Sequence, residues 1–208
     1  MKRASQIYVH SSREAVRLRS LGCKSVTVAL GAIDESRFSE RSITGNEVVW
    51  VGTPIYRKAP WVFLAHVRSS PQINFRLMGN GWENSIYWDE VKSFKNLKYI
   101  PITKPLTSRD FDGCFAYLMT SKIEGGPMLL LETLSAGLAP IATDCGFVRD
   151  IFNFCGIPTQ FIYQSSNSIE EQVQFLRLNW PKYEARVRLK ALELNFSRFS
   201  KILSETGF

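Results

Sequence analysis

At 208 residues with 45% hydrophobic content, the chain is long enough to bury a full core and reads as globular, which excludes a disordered or low-complexity protein. Its 26 Lys and Arg against 19 Asp and Glu give a net charge of +7, which favours anionic partners such as nucleotides, phosphate surfaces or nucleic acid without choosing among them. Cys23, Cys114, Cys145 and Cys155 show no CxxC spacing, so a disulfide framework or zinc site is set aside for buried, reduced thiols.

The chain opens with no signal-peptide pattern. Its longest apolar stretch, Met128–Ala142, is interrupted by Glu132, Ser135, Gly137 and Pro140 and falls short of the ~20 residues of a membrane span. A cytoplasmic location is the expectation. Ile7–Val9 reads as a strand, Ser11-x-x-Glu14 as a capping box opening a helix, Gly22 as its end, and Val26–Leu30 as a second strand. Gly31–Asn46 is polar and turn-rich and reads as a hinge, which makes residues 1–46 one unit.

The hydrophobic pattern then restarts and alternates. Strands are expected at Val48–Val51, Asn74–Met78, Leu97–Ile100, Phe115–Met119, Pro140–Thr143 and Thr159–Tyr163. Between them come helices at Trp61–Arg68, Pro127–Ala136 and Val148–Phe154, a helical turn at Ser108–Gly113, and a helix at Ile169–Leu178 opened by the capping box Ser168-x-x-Glu171. These fill a unit of residues 47–181. A single tail helix, Lys182–Ser204, occupies the last unit, 182–208. Strands apolar on both faces and spaced by helices predict a doubly wound α/β domain with a parallel, Rossmann-like sheet, whose ligands bind beyond the carboxyl ends of the strands.

On that fold the loops after the strands line one crevice. The most informative is Ser121–Gly146, where Glu124-Gly125-Gly126-Pro127 joins a strand to a helix. Pro127 suits the first helical position, and the amides of Gly125, Gly126, Met128 and Leu129 are expected to face an anion with the helix dipole behind them. Glu132, on an otherwise apolar helix, either faces solvent in a narrow stripe with Met128, Ser135 and Ala136 or accepts two hydrogen bonds from a vicinal diol such as a ribose. Arg57 and Lys58 follow the first core strand, either as a solvated basic pair or as cations for a pyrophosphate. Gly79-Asn80-Gly81 permits close backbone approach or forms a plain turn, and Asn84 rules out a GxGxxG dinucleotide fingerprint.

Other features read as structural. Asp110-Phe111-Asp112 precedes its strand, on the wrong sheet edge for metal–phosphate chelation, so no metal is expected. His10 and His66 are isolated. The tail interleaves Lys182, Arg186, Arg188, Lys190, Arg198 and Lys201 with Leu189, Leu192, Leu194, Phe196 and Phe199, as a packed helix with a wet face or as a peripheral membrane contact. No nucleic-acid module accompanies the basic charge, and no nucleic-acid partner is expected.

The run Ser121-x-x-Glu124-Gly125-Gly126-Pro127-x-x-x-x-Glu132, followed by Ala136-Gly137, Pro140–Thr143 and Gly146, resembles the donor-binding signature of family 4 GT-B glycosyltransferases, retaining enzymes that use nucleotide sugars. Val49–Gly52 with Lys58 resembles that family's first strand and phosphate loop, Phe75–Gly81 its next strand-turn, and Tyr8–Ser12, Gly22, Val26–Asp34 and Phe38 the end of its N-terminal domain and hinge. The resemblance spans nearly the whole chain but maps onto the C-terminal half of such an enzyme. It implies Glu124 as the catalytic acid beside the transferred sugar and Glu132 at the ribose. It also implies Gly81, Gly125, Gly126, Pro127 and Met128 around the sugar and diphosphate, and Lys58 on the phosphates. One position departs: Thr53 follows Gly52 where the family usually has Arg, and Arg57 is the candidate replacement.

Taken together these readings imply hexosyl transfer from a nucleoside diphosphate sugar (UDP-, GDP- or ADP-linked) to an unknown acceptor, with no further cofactor or metal. An acceptor-binding domain or partner chain would complete the site. The alternative is a non-enzymatic sugar-nucleotide-binding or regulatory module.

Overall fold

A computed structural model describes residues 6–42, 44–164 and 168–205, so each of the predicted units 1–46, 47–181 and 182–208 runs in part outside the described residues. The amino-terminal segment forms its own two-stranded parallel sheet, β1 (Ile7–Val9) paired with β2 (Val26–Val28), joined by α1 (Ser12–Ser20). Ser11 caps α1 through its Oγ, which accepts from the Glu14 amide at 3.1 Å, and Gly22 ends it at a φ of +90°. The next segment is more ordered than a hinge. It carries α2 (Glu35–Phe38), with Asp34 accepting from the Ser36 amide at 3.1 Å and Phe38 fully buried.

The main sheet is parallel and five-stranded, in the order β5-β4-β3-β6-β7. Its strands are β3 (Glu47–Val51), β4 (Phe75–Met78), β5 (Leu97–Ile100), β6 (Cys114–Met119) and β7 (Ala139–Ala142). Every residue of β4, β6 and β7 is buried, as continuous apolar runs require when helices cover both faces, whereas edge strand β5 stays partly exposed. Helices α3 (Pro60–Ser69), α4 (Trp88–Ser93), α5 (Met128–Ser135), α6 (Val148–Cys155), α7 (Ile169–Asn179), α8 (Glu184–Leu192) and α9 (Phe196–Glu205) complete the order. The chain winds from β3 outward to β5, then returns to lay β6 on the other side of β3. The topological switch therefore falls between β3 and β6, and the ligand crevice of such a sheet opens beyond their carboxyl ends.

Four expectations are corrected. Thr159–Tyr163 is not a strand: Thr159–Phe161 curls into a 3-10 turn that sends Phe161 between Phe175, Trp180 and Tyr183, and only Ile162 bridges Ala142 of β7. The single tail helix is two, α8 and α9. The chain breaks between them because Ile33 donates to the Leu194 carbonyl at 2.8 Å, and Asn195 caps α9 by accepting from the Arg198 amide at 3.0 Å. Pro127 is the N-cap of α5, and the helix proper begins at Met128. Of the cysteines, Cys114 and Cys155 are buried, with thiols pushed up to about 12 by desolvation, but Cys23 and Cys145 are half-buried; all four are free.

At the amino edge of the sheet Arg76 of β4 is buried against the Glu47 carboxylate, 2.6 Å from its Nε, and donates to the carbonyls of Asp110 at 3.0 Å and Asp112 at 2.7 Å. Asp110 in turn accepts from the Thr107 amide at 2.8 Å and hydroxyl at 2.9 Å in a capping box. The Asp-x-Asp motif is thus occupied in building this edge. Among the described residues no group of three or more His, Cys, Asp or Glu is placed to hold a metal ion, and no helix is long and apolar enough to cross a membrane.

Candidate functional site

The site is assembled where the switch point predicts. Thr120, at the end of β6, accepts from the Trp50 indole at 2.9 Å and donates to the Lys58 carbonyl at 2.8 Å, fixing the loop after β3 to the loop after β6. Lys58 is followed by Ala59, a fully buried residue at φ +49° and ψ 58° that turns the chain into α3. A left-handed conformation at a non-glycine residue costs roughly 1–3 kcal/mol and persists only where the surroundings enforce it. Its consequence is directional: the two basic side chains just before it are aimed across the crevice at Glu124.

Glu124 is the centre of this geometry. Its Oε1 accepts from Lys58 Nζ at 2.5 Å and from Ser121 Oγ at 2.7 Å, and its Oε2 accepts from Arg57 Nη1 at 3.1 Å. The side chain is only 4% exposed, whereas Arg57 is 50% and Lys58 18% exposed. The loop carrying the acid is held from behind. Thr143 Oγ1 donates to the Ser121 carbonyl at 2.7 Å, the Lys122 amide donates to the Arg57 carbonyl at 2.8 Å, and Gly146 passes so close that a Cβ there would stand 2.7 Å from the Glu124 carbonyl oxygen.

The amides expected to face an anion divide. Met128 donates its N–H to the Gly126 carbonyl at 2.8 Å, so that donor is occupied. Among the described residues the amides of Gly125, Gly126 and Leu129 have no backbone acceptor. Gly125 is open, with nothing near where a Cβ would be, and Gly126 lies against the Phe147 ring. The Met128 thioether packs against Gly31, where any Cβ would collide with its sulfur, which brings the amino-terminal segment directly onto the start of α5.

Glu132 lies on the fifth residue of α5, half-buried and without a hydrogen-bond partner among the described side chains. Burial raises its carboxyl above the usual range, and the positive field of Arg37 opposes that rise. Arg37 is itself anchored, with Nε donating to the Leu106 carbonyl at 2.8 Å in the loop after β5. The buried Tyr117 hydroxyl is pushed up by burial and then by the negative charge of Glu124 and Glu132.

The remaining predicted positions are peripheral. Thr53 is exposed, and its carbonyl accepts from the Ile55 amide at 2.8 Å. Gly81 turns at φ +81°, where a Cβ would lie 4.0 Å from Pro54, but the close approach in that turn belongs to Gly79, whose Cβ would lie 2.0 Å from the Gly52 carbonyl oxygen. His66 shares a 3.1 Å hydrogen bond with the Tyr163 hydroxyl, and His10 shares one of 2.9 Å with the Ala29 carbonyl. Ser121, Thr120 and Thr143 received no role from the sequence, yet they hold Glu124 and Lys58 in place. The available signal was their position: Ser121 and Thr143 stand within the motif run and Thr120 immediately before it. Cys145 also belongs here. Its thiol is raised chiefly by burial, with Glu124 and Lys58 acting in opposite directions.

No protein-family model and no curated protein matches the sequence. Solved structures do match. The apo form of the lipopolysaccharide outer core galactosyltransferase WaaB superposes with a TM-score of 0.72 at 15% identity, covering 98% of this chain and 61% of its own. A pneumococcal O-GlcNAc transferase, GtfA, in complex with UDP and GlcNAc gives 0.71 at 17% identity, with 96% of this chain and 44% of that one covered. Sucrose-phosphate synthase from Thermosynechococcus elongatus gives 0.74 at 13% identity, with 98% and 58% covered. At these identities the likeness establishes architecture: the chain has the GT-B glycosyltransferase fold, in the Rossmann-like form of its C-terminal domain. It spans 44–61% of the length of these three structures.

Proposed function

We propose that the chain is the donor-binding part of a retaining glycosyltransferase that moves a hexose from a nucleoside diphosphate sugar. The observation that carries this reading is the convergence of Lys58, Arg57 and Glu124 from two loops at the switch point of the sheet. In this role Lys58 and Arg57 take the diphosphate together with the amides of Gly125, Gly126 and Leu129, Glu132 takes the ribose hydroxyls, and Glu124 takes the hexose. As the bond from the sugar to the diphosphate breaks, negative charge grows on the leaving group, and fixed cations and amides meet it without reorganising. Pairing of UDP with a sugar in the pneumococcal transferase supports a nucleotide-sugar ligand by analogy of fold. Residues 47–181 would form the nucleotide-sugar domain, with 1–46 leading into it from an acceptor-binding domain or partner chain and 182–208 closing behind it.

Calorimetric titration with UDP, GDP, ADP and their glucose conjugates tests the reading. Binding of one base family, weakened at least about tenfold by Lys58→Ala, is expected from the loss of a charge-assisted hydrogen bond. No binding of any of them would end it. Donor hydrolysis or sugar transfer that is lost in Glu124→Ala separates the enzyme from a module that only binds.

A further inference from the structure

The cations assigned to the diphosphate are already bonded, and their partner is the acid assigned to the sugar. Both oxygens of Glu124 are taken, by Lys58 and Ser121 on one side and Arg57 on the other. A donor cannot enter this arrangement by simple addition. One side of the cluster is free to move and the other is not. Arg57 and Lys58 stand on long flexible stems, that of Arg57 half-exposed to solvent, whereas the Glu124 loop is pinned by Thr143, by the Lys122 amide and by the close passage of Gly146. An arriving diphosphate therefore draws the cations away while the carboxylate stays.

A carboxylate buried to that degree is costly when its partners leave. Ser121 alone remains. A hexose beside the phosphates offers hydroxyl donors to replace the lost ones; a bare nucleoside diphosphate offers only more negative charge at close range.

We propose that Glu124 is the residue that makes this site prefer a sugar-bearing nucleotide to the free nucleoside diphosphate, by exchanging its two cations for sugar hydroxyls. The inference rests on the donor-binding reading above. It adds a direction to the cycle: once the sugar has gone, Glu124 competes for Lys58 and Arg57 and helps expel the by-product.

The test is titration of the full chain and of Glu124→Gln with the nucleoside diphosphate of the base that binds, with its glucose conjugate, and with inorganic pyrophosphate. Wild type is expected to favour the conjugate. In Glu124→Gln the free diphosphate and pyrophosphate should each bind roughly tenfold tighter than in wild type, the scale of one charge-assisted hydrogen bond released, and the conjugate no tighter. A second measurement needs no variant: free glucose or GlcNAc at high concentration should tighten nucleoside diphosphate binding to wild type. Unchanged or weaker diphosphate binding in a Glu124→Gln chain that melts like wild type overturns the exchange while leaving donor binding intact; so does the absence of any effect of free sugar. Failure of every nucleotide to bind either protein removes the donor-binding reading itself.

Discussion

The two edges of the main sheet carry the same chemistry to different ends. At the amino edge, Arg76 is 8% exposed and is bonded to Glu47 and to the carbonyls of Asp110 and Asp112. At the carboxyl edge, Lys58 and Arg57 meet Glu124. Both are clustered cations and carboxylates at the ends of β3 and its neighbours. The difference is in who the partners are. Main-chain carbonyls cannot leave, so Arg76 is a fixture, whereas long flexible side chains such as Lys58 and the half-exposed Arg57 can exchange a carboxylate for a ligand. Ion pairs alone would not tell the edges apart. A cavity of about 170 Å³ lined by Asn46, Ile73, Asn74, Glu170 and Arg177 sits beside the amino ends of the strands, so a hollow alone does not tell the edges apart either.

Four measurements break or sharpen this contrast. Arg76→Met should have the largest effect, because it removes a buried guanidinium and strands two carbonyls and the half-buried Glu47 carboxylate: a loss of about 3 kcal/mol is expected, roughly 6–12 °C in melting temperature for a chain of this size. Lys58→Met should move melting by less than about 1 kcal/mol, since its partner keeps Arg57 and Ser121. If the two variants melt alike, the edges do not differ in kind. Next comes Ser121→Ala, which removes a buried hydroxyl from Glu124 and should cost about 1 kcal/mol in stability, while the preference for conjugated over free diphosphate is kept, because Glu124 is left still more dependent on its two cations.

The smallest effect is expected at Glu132. Its carboxyl is raised by burial, so the folded state holds the proton more tightly than the unfolded chain, and the site favours folding at low pH and opposes it as pH climbs past the usual carboxylate range. Glu132→Gln should therefore raise the melting temperature of the unliganded chain at pH 7 and lose that advantage near pH 4. The same variant should weaken nucleotide binding but leave pyrophosphate binding unchanged. A carboxylate kept at the expense of stability is what a ligand site requires and a solvated stripe does not.

Much of the main sheet was legible in the sequence because its strands are short, mostly apolar runs, buried throughout in β4, β6 and β7. Leu97–Ile100 was bounded as found, and Phe115–Met119 within one residue. The misses have local causes. Helix α4 buries only Val91 and has no side-chain cap, so it leaves almost no periodic trace. The tail carries leucines and phenylalanines through the break between α8 and α9, and the break is made by a distant partner, Ile33. At the site, the glycines and both acids were readable as a motif, but the union of Lys58 with Glu124 spans 66 residues and depends on strand order, which no local pattern encodes. Opposite charges in two loops expected on one edge were the trace it left.

Ala59 has a further bearing on how the site ages under mutation. Its φ of +49° leaves its methyl fully buried, while Thr120 Oγ1 reaches both its carbonyl, at 3.3 Å, and that of Lys58. Glycine would adopt this conformation without strain, and a β-branched residue would not. Position 59 is thus a bottleneck in sequence space. Substitutions that keep the sheet intact but let this one residue relax to a negative φ would swing Lys58 out of the crevice, silencing the site in a chain that still folds.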